Sequence, residues 1–256
     1  MNETHRACVS VVIPVYNEEA TLASVVRKLL KIHYLFEIVI VDDCSTDRTA
    51  EIARQLSGDY PTVRLVSHPQ NAGKTEALKT GFALTRGEIV IVQDADLEYD
   101  PDDIPSVIQP ILDGHADVVY GSRFLVRKAA RVLYFYHYLA NKALTFTSNV
   151  LTNLNMTDVE TGYKAFRGDI IRNMIITSRG FGFEVEVTAK LAKLKCVVYE
   201  VPISYYGRTY EEGKKIGVLD GMAAFWLVFR FNLFCRLRSS FRQVPRLVRF
   251  SNRQPL

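Results

Sequence analysis

Five short, mostly apolar runs, separated by stretches of helical periodicity, restrict this chain to one architecture. The runs cover residues 10–15, 37–41, 63–66, 89–92 and 117–120. Between them, residues 17–30, 46–56, 74–85 and the segment opened by Asp100-Pro101 read as helices; in the first, Leu22, Val25, Val26, Leu29 and Leu30 share one face. Strands that are apolar on both faces, alternating with amphipathic helices, predict a mostly parallel α/β sheet of Rossmann-like type, flanked by helices. Asn17 and Ser45 are expected to cap the helices that follow them, and Pro101 suits a first helical position. In such sheets ligands bind beyond the carboxyl ends of the strands. Polar groups gather there: Tyr16-Asn17-Glu18, Asp42-Asp43, Asp94 to Asp96 and Ser122-Arg123. No GxGxxG follows the first strand, which argues against a dinucleotide-dependent dehydrogenase.

The second half reads differently. Residues 131–151 form an aromatic-rich helical stretch, and residues 157–167 a polar loop leading into a short strand. Residues 183–194 form a helix of alternating charge, and residues 197–206 a strand interrupted by Pro202. The net charge is only +4, yet Arg230, Arg236, Arg238, Arg242, Arg246, Arg249 and Arg253 all follow Asp220, after which no acidic residue occurs. The expected division is therefore a catalytic-type domain over residues 1–218 and a basic, amphipathic helical appendage over residues 219–256. Four cysteines without CxxC spacing, and no apolar signal-peptide core, suit a reduced, cytoplasmic setting.

Asp94 and Asp96 carry the sharpest chemical signal. They follow a buried apolar strand, where two carboxylates are costly unless something pairs with them. Residues two apart in extended chain point the same way. Both can therefore face one Mg²⁺ or Mn²⁺, with Glu98 as a third oxygen ligand. A solvated turn is the plain alternative for an isolated DxD. One of Asp42 and Asp43 can accept hydrogen bonds from a nucleobase while the other caps a helix. Lys74 opens a helix after a glycine turn; it suits an anion there or is simply exposed.

The segments Val12-Ile13-Pro14-Val15-Tyr16-Asn17-Glu18, Val41-Asp42-Asp43-Cys44-Ser45-Thr46-Asp47, Asn71-Ala72-Gly73-Lys74, Asp94-Ala95-Asp96-Leu97 and Gly121-Ser122-Arg123, taken in order, resemble family 2 glycosyltransferases of the GT-A fold. Within it the chain is most similar to dolichol- and polyprenol-phosphate sugar transferases. That likeness continues through Glu160-Thr161-Gly162-Tyr163-Lys164-Ala165-Phe166 and Gly182-Phe183-Glu184-Val185-Glu186 to Gly213-Lys214-Lys215-Ile216. It implies that Pro14, Tyr16, Glu18, Asp43 and Lys74 meet the nucleotide, and that Asp94 and Asp96 meet metal and diphosphate. It further implies that Arg123 and Arg131 grip the acceptor phosphate, that Arg208, Lys214 and Lys215 close over the donor phosphates, and that the anomeric centre is inverted. Relatives often have Gln at the position of Glu98 and Ser-Lys at Lys214-Lys215.

The expected reaction moves a sugar from a UDP- or GDP-sugar to a polyprenyl phosphate. A lipid monophosphate, whose second pKa is about 6, is already mostly dianionic and needs orientation rather than a base. A hydroxyl acceptor would need one, for which Asp158 and Glu184 are candidates. Residues 222–237 carry Phe225, Trp226, Phe229, Phe231 and Phe234 among arginines, which suits a peripheral helix on the cytosolic membrane face. The same segment alternatively packs on the sheet or on a second copy of the chain. A soluble acceptor, or a non-catalytic sugar-nucleotide or lipid binder, remains an alternative; the acidic sheet edge disfavours nucleic acid.

Overall fold

The computed structural model describes residues 7–125, 134–180, 182–207 and 218–247. Its elements run β1 (Val9–Val15), α1 (Leu22–Leu29), β2 (Leu35–Asp42), α2 (Thr49–Asp59), β3 (Val63–Ser67), α3 (Lys74–Leu84), β4 (Ile89–Val92), α4 (Ile104–Leu112), β5 (Val118–Ser122), α5 (Phe135–Thr152), β6 (Lys164–Arg167), α6 (Gly168–Asn173), α7 (Phe183–Leu194), β7 (Val198–Pro202), α8 (Val218–Phe229) and α9 (Leu237–Ser240). A 3₁₀ turn, Pro101–Asp103, leads into α4, and a π-helical turn, Arg230–Phe234, follows α8.

The expected α/β sheet is present. Its seven strands lie in the order β3-β2-β1-β4-β6-β5-β7. Every pairing is parallel except those of β6, which runs antiparallel between β4 and β5. The valine- and isoleucine-rich strands are buried on both faces because helices cover both. One apolar cluster joins Val25, Leu29, Val107 and Ile108 to one side of the sheet. The other joins Leu78, Phe82, Phe183, Leu191, Ala224 and Val228 to the opposite side. The register aligns Val15 with Asp42, and the Gln93 N–H donates to the Val12 carbonyl. The ends of β2, β1 and β4 therefore stand side by side, with Asp43, Tyr16 and Asp94 at one edge.

Two capping expectations are corrected. Asn17 does not cap α1; it takes a left-handed φ of 55° and its Oδ1 accepts from the Thr46 N–H at 2.8 Å. Ser45 does not cap α2; its Oγ accepts from the Asn17 N–H at 3.1 Å. The two loops clasp each other, and Asp47 takes the Thr49 N–H at the start of α2 instead. Neither Asp42 nor Asp43 caps a helix: Asp42 accepts from the Ser45 N–H and Asp43 reaches the loop before α3.

The C-terminal segment lies against the rest of the fold. Its helix α8 packs against α5 and α7, and Val228, Phe231 and Phe241 are buried. The expected boundary at residue 218 follows residues 208–217, outside the described residues.

Candidate active site

The site begins where β4 stops. After Val92 the chain leaves the extended conformation, and Leu97 adopts a left-handed φ of 61°. The period-two argument for Asp94 and Asp96 therefore does not hold, because residues 95–96 form a turn. Asp96 folds back so that its Oδ1 accepts from the Glu98 N–H at 3.0 Å. Burial, then the nearby charges of Asp94 and Glu98, push its carboxyl up to about 7.

Asp94 meets a cation from another element. Gly73, at a φ of 89°, turns the chain into α3 and delivers Lys74, whose Nζ lies 2.7 Å from Asp94 Oδ1 and 2.8 Å from Oδ2. Burial alone would lower the Lys74 ammonium, but the charges of Asp94 and Glu184 outweigh it and hold the group above its usual range. The loop before α3 is pinned by Asp43, which accepts from the Ala72 and Gly73 N–H groups at 3.0 and 2.7 Å. His68 Nδ1 lies 2.7 Å from the same carboxylate, so much of its acceptor capacity is engaged within the protein.

The far wall comes from β5 and the loop before β6. Arg123 donates through Nε and Nη2 to both oxygens of the fully buried Asp158, each at 2.7 Å. This fork holds the guanidinium over the Tyr205 ring. Glu200 of β7 in turn accepts from the Thr157 and Asp158 N–H groups. The floor is an aromatic stack of Tyr99 on Tyr163, with centroids 5.2 Å apart and planes 7° apart. The Tyr99 hydroxyl accepts from the Gly162 N–H. Gly162 has to be small: a Cβ there would stand 2.8 Å from Asp94 Oδ2 and 3.5 Å from Lys74 Nζ.

The three-carboxylate set of Asp94, Asp96 and Glu98 is not assembled. The left-handed turn at Leu97 swings Glu98 away, and its Oε2 accepts from the Tyr205 hydroxyl at 2.9 Å. Among the described residues no three His, Cys, Asp or Glu side chains converge as metal ligands. What remains is a pair of hard oxygen donors, Asp94 and Asp96, with the proton affinity of Asp96 raised by burial and then by the neighbouring carboxylates. That donor set suits a divalent cation which takes its other ligands from water or phosphate.

Residues 10–175 match the family model for glycosyl transferase family 2. The chain belongs to that family. Among curated family relatives, a dolichol-phosphate mannosyltransferase of Pyrococcus furiosus is 33% identical over 215 residues, which cover 82% of this chain and 59% of that protein. An undecaprenyl-phosphate mannosyltransferase of Micrococcus luteus is 30% identical over 218 residues, covering 83% of this chain and 89% of that protein. Of the Pyrococcus protein, then, this chain matches less than two thirds. Glucosyl-3-phosphoglycerate synthase from Mycobacterium tuberculosis, solved with Mn²⁺, UDP and glucosyl-3-phosphoglycerate, superposes with a TM-score of 0.67 at 22% identity, over 88% of this chain and 80% of that one. This likeness shows the GT-A fold.

Within this family 2 domain, Pro14, Tyr16, Glu18, Asp43, Lys74, Asp94, Asp96 and Arg123 all lie at or just beyond the carboxyl ends of β1, β2, β4 and β5 or at the start of α3. Arg131, Arg208, Lys214 and Lys215 lie outside the described residues. Sequence reasoning missed Tyr99, Tyr205 and Glu200, which have no motif of their own, and left Glu160 without a role.

Proposed function

We propose that this chain transfers a sugar from a UDP- or GDP-sugar to a polyprenyl phosphate, with inversion, at the cytosolic face of a membrane. The observation that carries the reading is the convergence of Asp94, Asp96 and Lys74 at the end of a central strand, opposite the Arg123–Asp158 fork. Relatives that act on dolichol and undecaprenyl phosphate support the acceptor class. Asp94 and Asp96 are the residues that would hold Mg²⁺ or Mn²⁺, with Asp94 shared with Lys74; Glu98 is held by Tyr205 through Oε2. When bound, such an ion neutralises charge on a departing diphosphate.

The chain's own residues do the rest. The loop between β1 and α1, with Tyr16 and Glu18, borders the nucleoside side, and Asp43 fixes the loop that presents Lys74. Lys74 at the N-terminus of α3 adds a positive charge and a helix end, both favourable to the donor phosphates. Arg123, braced by Asp158, offers the acceptor phosphate a fixed cation, and Nη1 takes no part in the internal fork. Arg131, Arg208, Lys214 and Lys215 are proposed to add to these phosphate contacts. A phosphate acceptor needs no general base, and Asp158 is already engaged by Arg123, which favours phosphate over a hydroxyl acceptor.

Membrane contact is proposed on the outer faces of α5 and of the C-terminal helices. On α5, Phe135, Leu139, Phe146 and Val150 recur at helical spacing and are exposed. Beside it, Trp226 is 63% and Phe234 73% exposed. Arg230, Arg236, Arg238 and Arg242 flank the aromatic groups and suit anionic headgroups. No helix among the described residues is long and apolar enough to cross a membrane.

The test is a screen of UDP- and GDP-sugars with polyprenyl phosphate, with and without EDTA. Metal-dependent release of nucleoside diphosphate and a glycolipid product are expected. Release without dependence on the lipid phosphate would refute the acceptor assignment, and full activity in EDTA the metal.

A further inference from the structure

Among the described residues two buried side-chain polar atoms lack a hydrogen-bond partner, Glu160 Oε1 and Ser178 Oγ. The serine is a neutral hydroxyl that can rotate. The glutamate is the more costly of the two, because an unsatisfied buried carboxyl oxygen carries the full penalty of lost hydration. Such an atom in a native fold calls for a ligand, an ion or a catalytic role.

Its surroundings narrow the choice. Glu160 sits two residues before Gly162, where an added Cβ would meet Asp94 and Lys74. Glu184 acts electrostatically on both Glu160 and Lys74, which places the Glu160 carboxyl within reach of the charges of the Asp94–Lys74 pair. The local cations are already engaged: Lys74 on Asp94, Arg123 on Asp158, and Lys164 on the Val159 and Thr161 carbonyls. A partner for Oε1 therefore arrives with a substrate, and a donor suits that oxygen whether the carboxyl is ionised or keeps its proton on Oε2. The charges acting on this carboxyl oppose one another, Glu184 and Asp158 against Lys164 and Arg123, so the surroundings do not call for a further charged group. A hydroxyl donates without adding charge, and in a glycosyltransferase site the hydroxyl-rich group beside a metal-type aspartate is the transferred sugar.

We propose that Glu160 is a specificity-determining residue that accepts a hydrogen bond from a hydroxyl of the donor sugar. This rests on the glycosyltransferase reading above, and the experiment separates the two. Binding of GDP and GDP-mannose, and of UDP and UDP-glucose, is measured by calorimetry for wild type, Glu160→Ala and Glu160→Gln. For the pair that binds, Glu160→Ala is expected to weaken the sugar nucleotide by about tenfold or more while leaving the nucleoside diphosphate within a factor of about two. Glu160→Gln, which keeps an acceptor oxygen, recovers part of the loss. Single-deoxy forms of the same donor then locate the hydroxyl: removing the correct one weakens wild type but has little further effect on Glu160→Ala. A merely structural role would move nucleoside diphosphate and sugar nucleotide together and show no such coupling. Equal effects on both ligands, or fully additive losses for every deoxy donor, would overturn the assignment. If wild type binds neither GDP nor UDP, the donor reading itself fails and this role with it.

Discussion

Replacing Gly162 by alanine tests how tightly the site is built. The added methyl would meet Asp94 Oδ2 at 2.8 Å, Tyr99 Cε2 at 3.3 Å and Lys74 Nζ at 3.5 Å, whereas ordinary contact begins near 3.4 Å. Asp94 must therefore retreat by about 0.6 Å, because the Tyr99 ring is fixed by its stack on Tyr163. Gly162 has no left-handed φ, so the change acts through space and not through backbone strain. Asp94 lies at the rim and can move, so the fold absorbs the change and Tm falls by about 2–4 °C for roughly 1 kcal/mol in a domain of this size. Catalysis is less tolerant, because a misplacement of about 1 Å in a reacting geometry costs up to about 100-fold. The expected result is a fall in kcat/KM of roughly 30-fold, from steady-state release of nucleoside diphosphate, with a near-normal melting curve. Valine at the same position should be worse. A well-folded alanine variant within threefold of wild-type activity, a margin well inside that roughly 30-fold loss, would show that the position of Asp94 does not matter.

Other consequences follow from the same geometry. Asp158→Asn leaves the Arg123 guanidinium without its buried carboxylate, and urea unfolding should show a loss of about 3 kcal/mol. Burial, then the charge of Glu184, pushes the Glu160 carboxyl up to about 8. The folded chain then holds a proton that the unfolded chain releases near 4.5. The stability this contributes is complete below that value and is lost as pH rises through about 8, so Glu160→Gln should flatten the decline measured by denaturant titration across this window. Lys164, lowered to about 8 by burial, acts above the window. Trp226→Ser combined with Phe234→Ser should reduce co-sedimentation with anionic vesicles by about tenfold or more without lowering Tm, since both side chains are exposed. Removing the chain after residue 217 would instead uncover residues packed against Val228 and Phe231, and should lower Tm whether or not vesicles are bound.

Much of this molecule was legible in one dimension. Periodicity records which faces are buried, so the strands at 10–15, 37–41, 63–66, 89–92 and 117–120 and the helix over Phe183–Leu194 appear in the structure with boundaries shifted by two residues or fewer. The acidic ends of β2 and β4 were visible because carboxylates after apolar runs are costly without a purpose. Periodicity does not record neighbours. The insertion of β6 antiparallel between β4 and β5, the Lys74–Asp94 pair and the Arg123–Asp158 fork each join residues far apart in the chain. The turn at Leu97, which separates Glu98 from the two aspartates and hands it to Tyr205, depends on a partner more than a hundred positions away. The sequence alone determined where polar chemistry would emerge from the sheet, since local patterning sets burial. Only the tertiary structure decided which carboxylates face a cation, which are already paired, and that Glu160 is left with a buried oxygen lacking a hydrogen-bond donor, since those outcomes depend on contacts between distant segments.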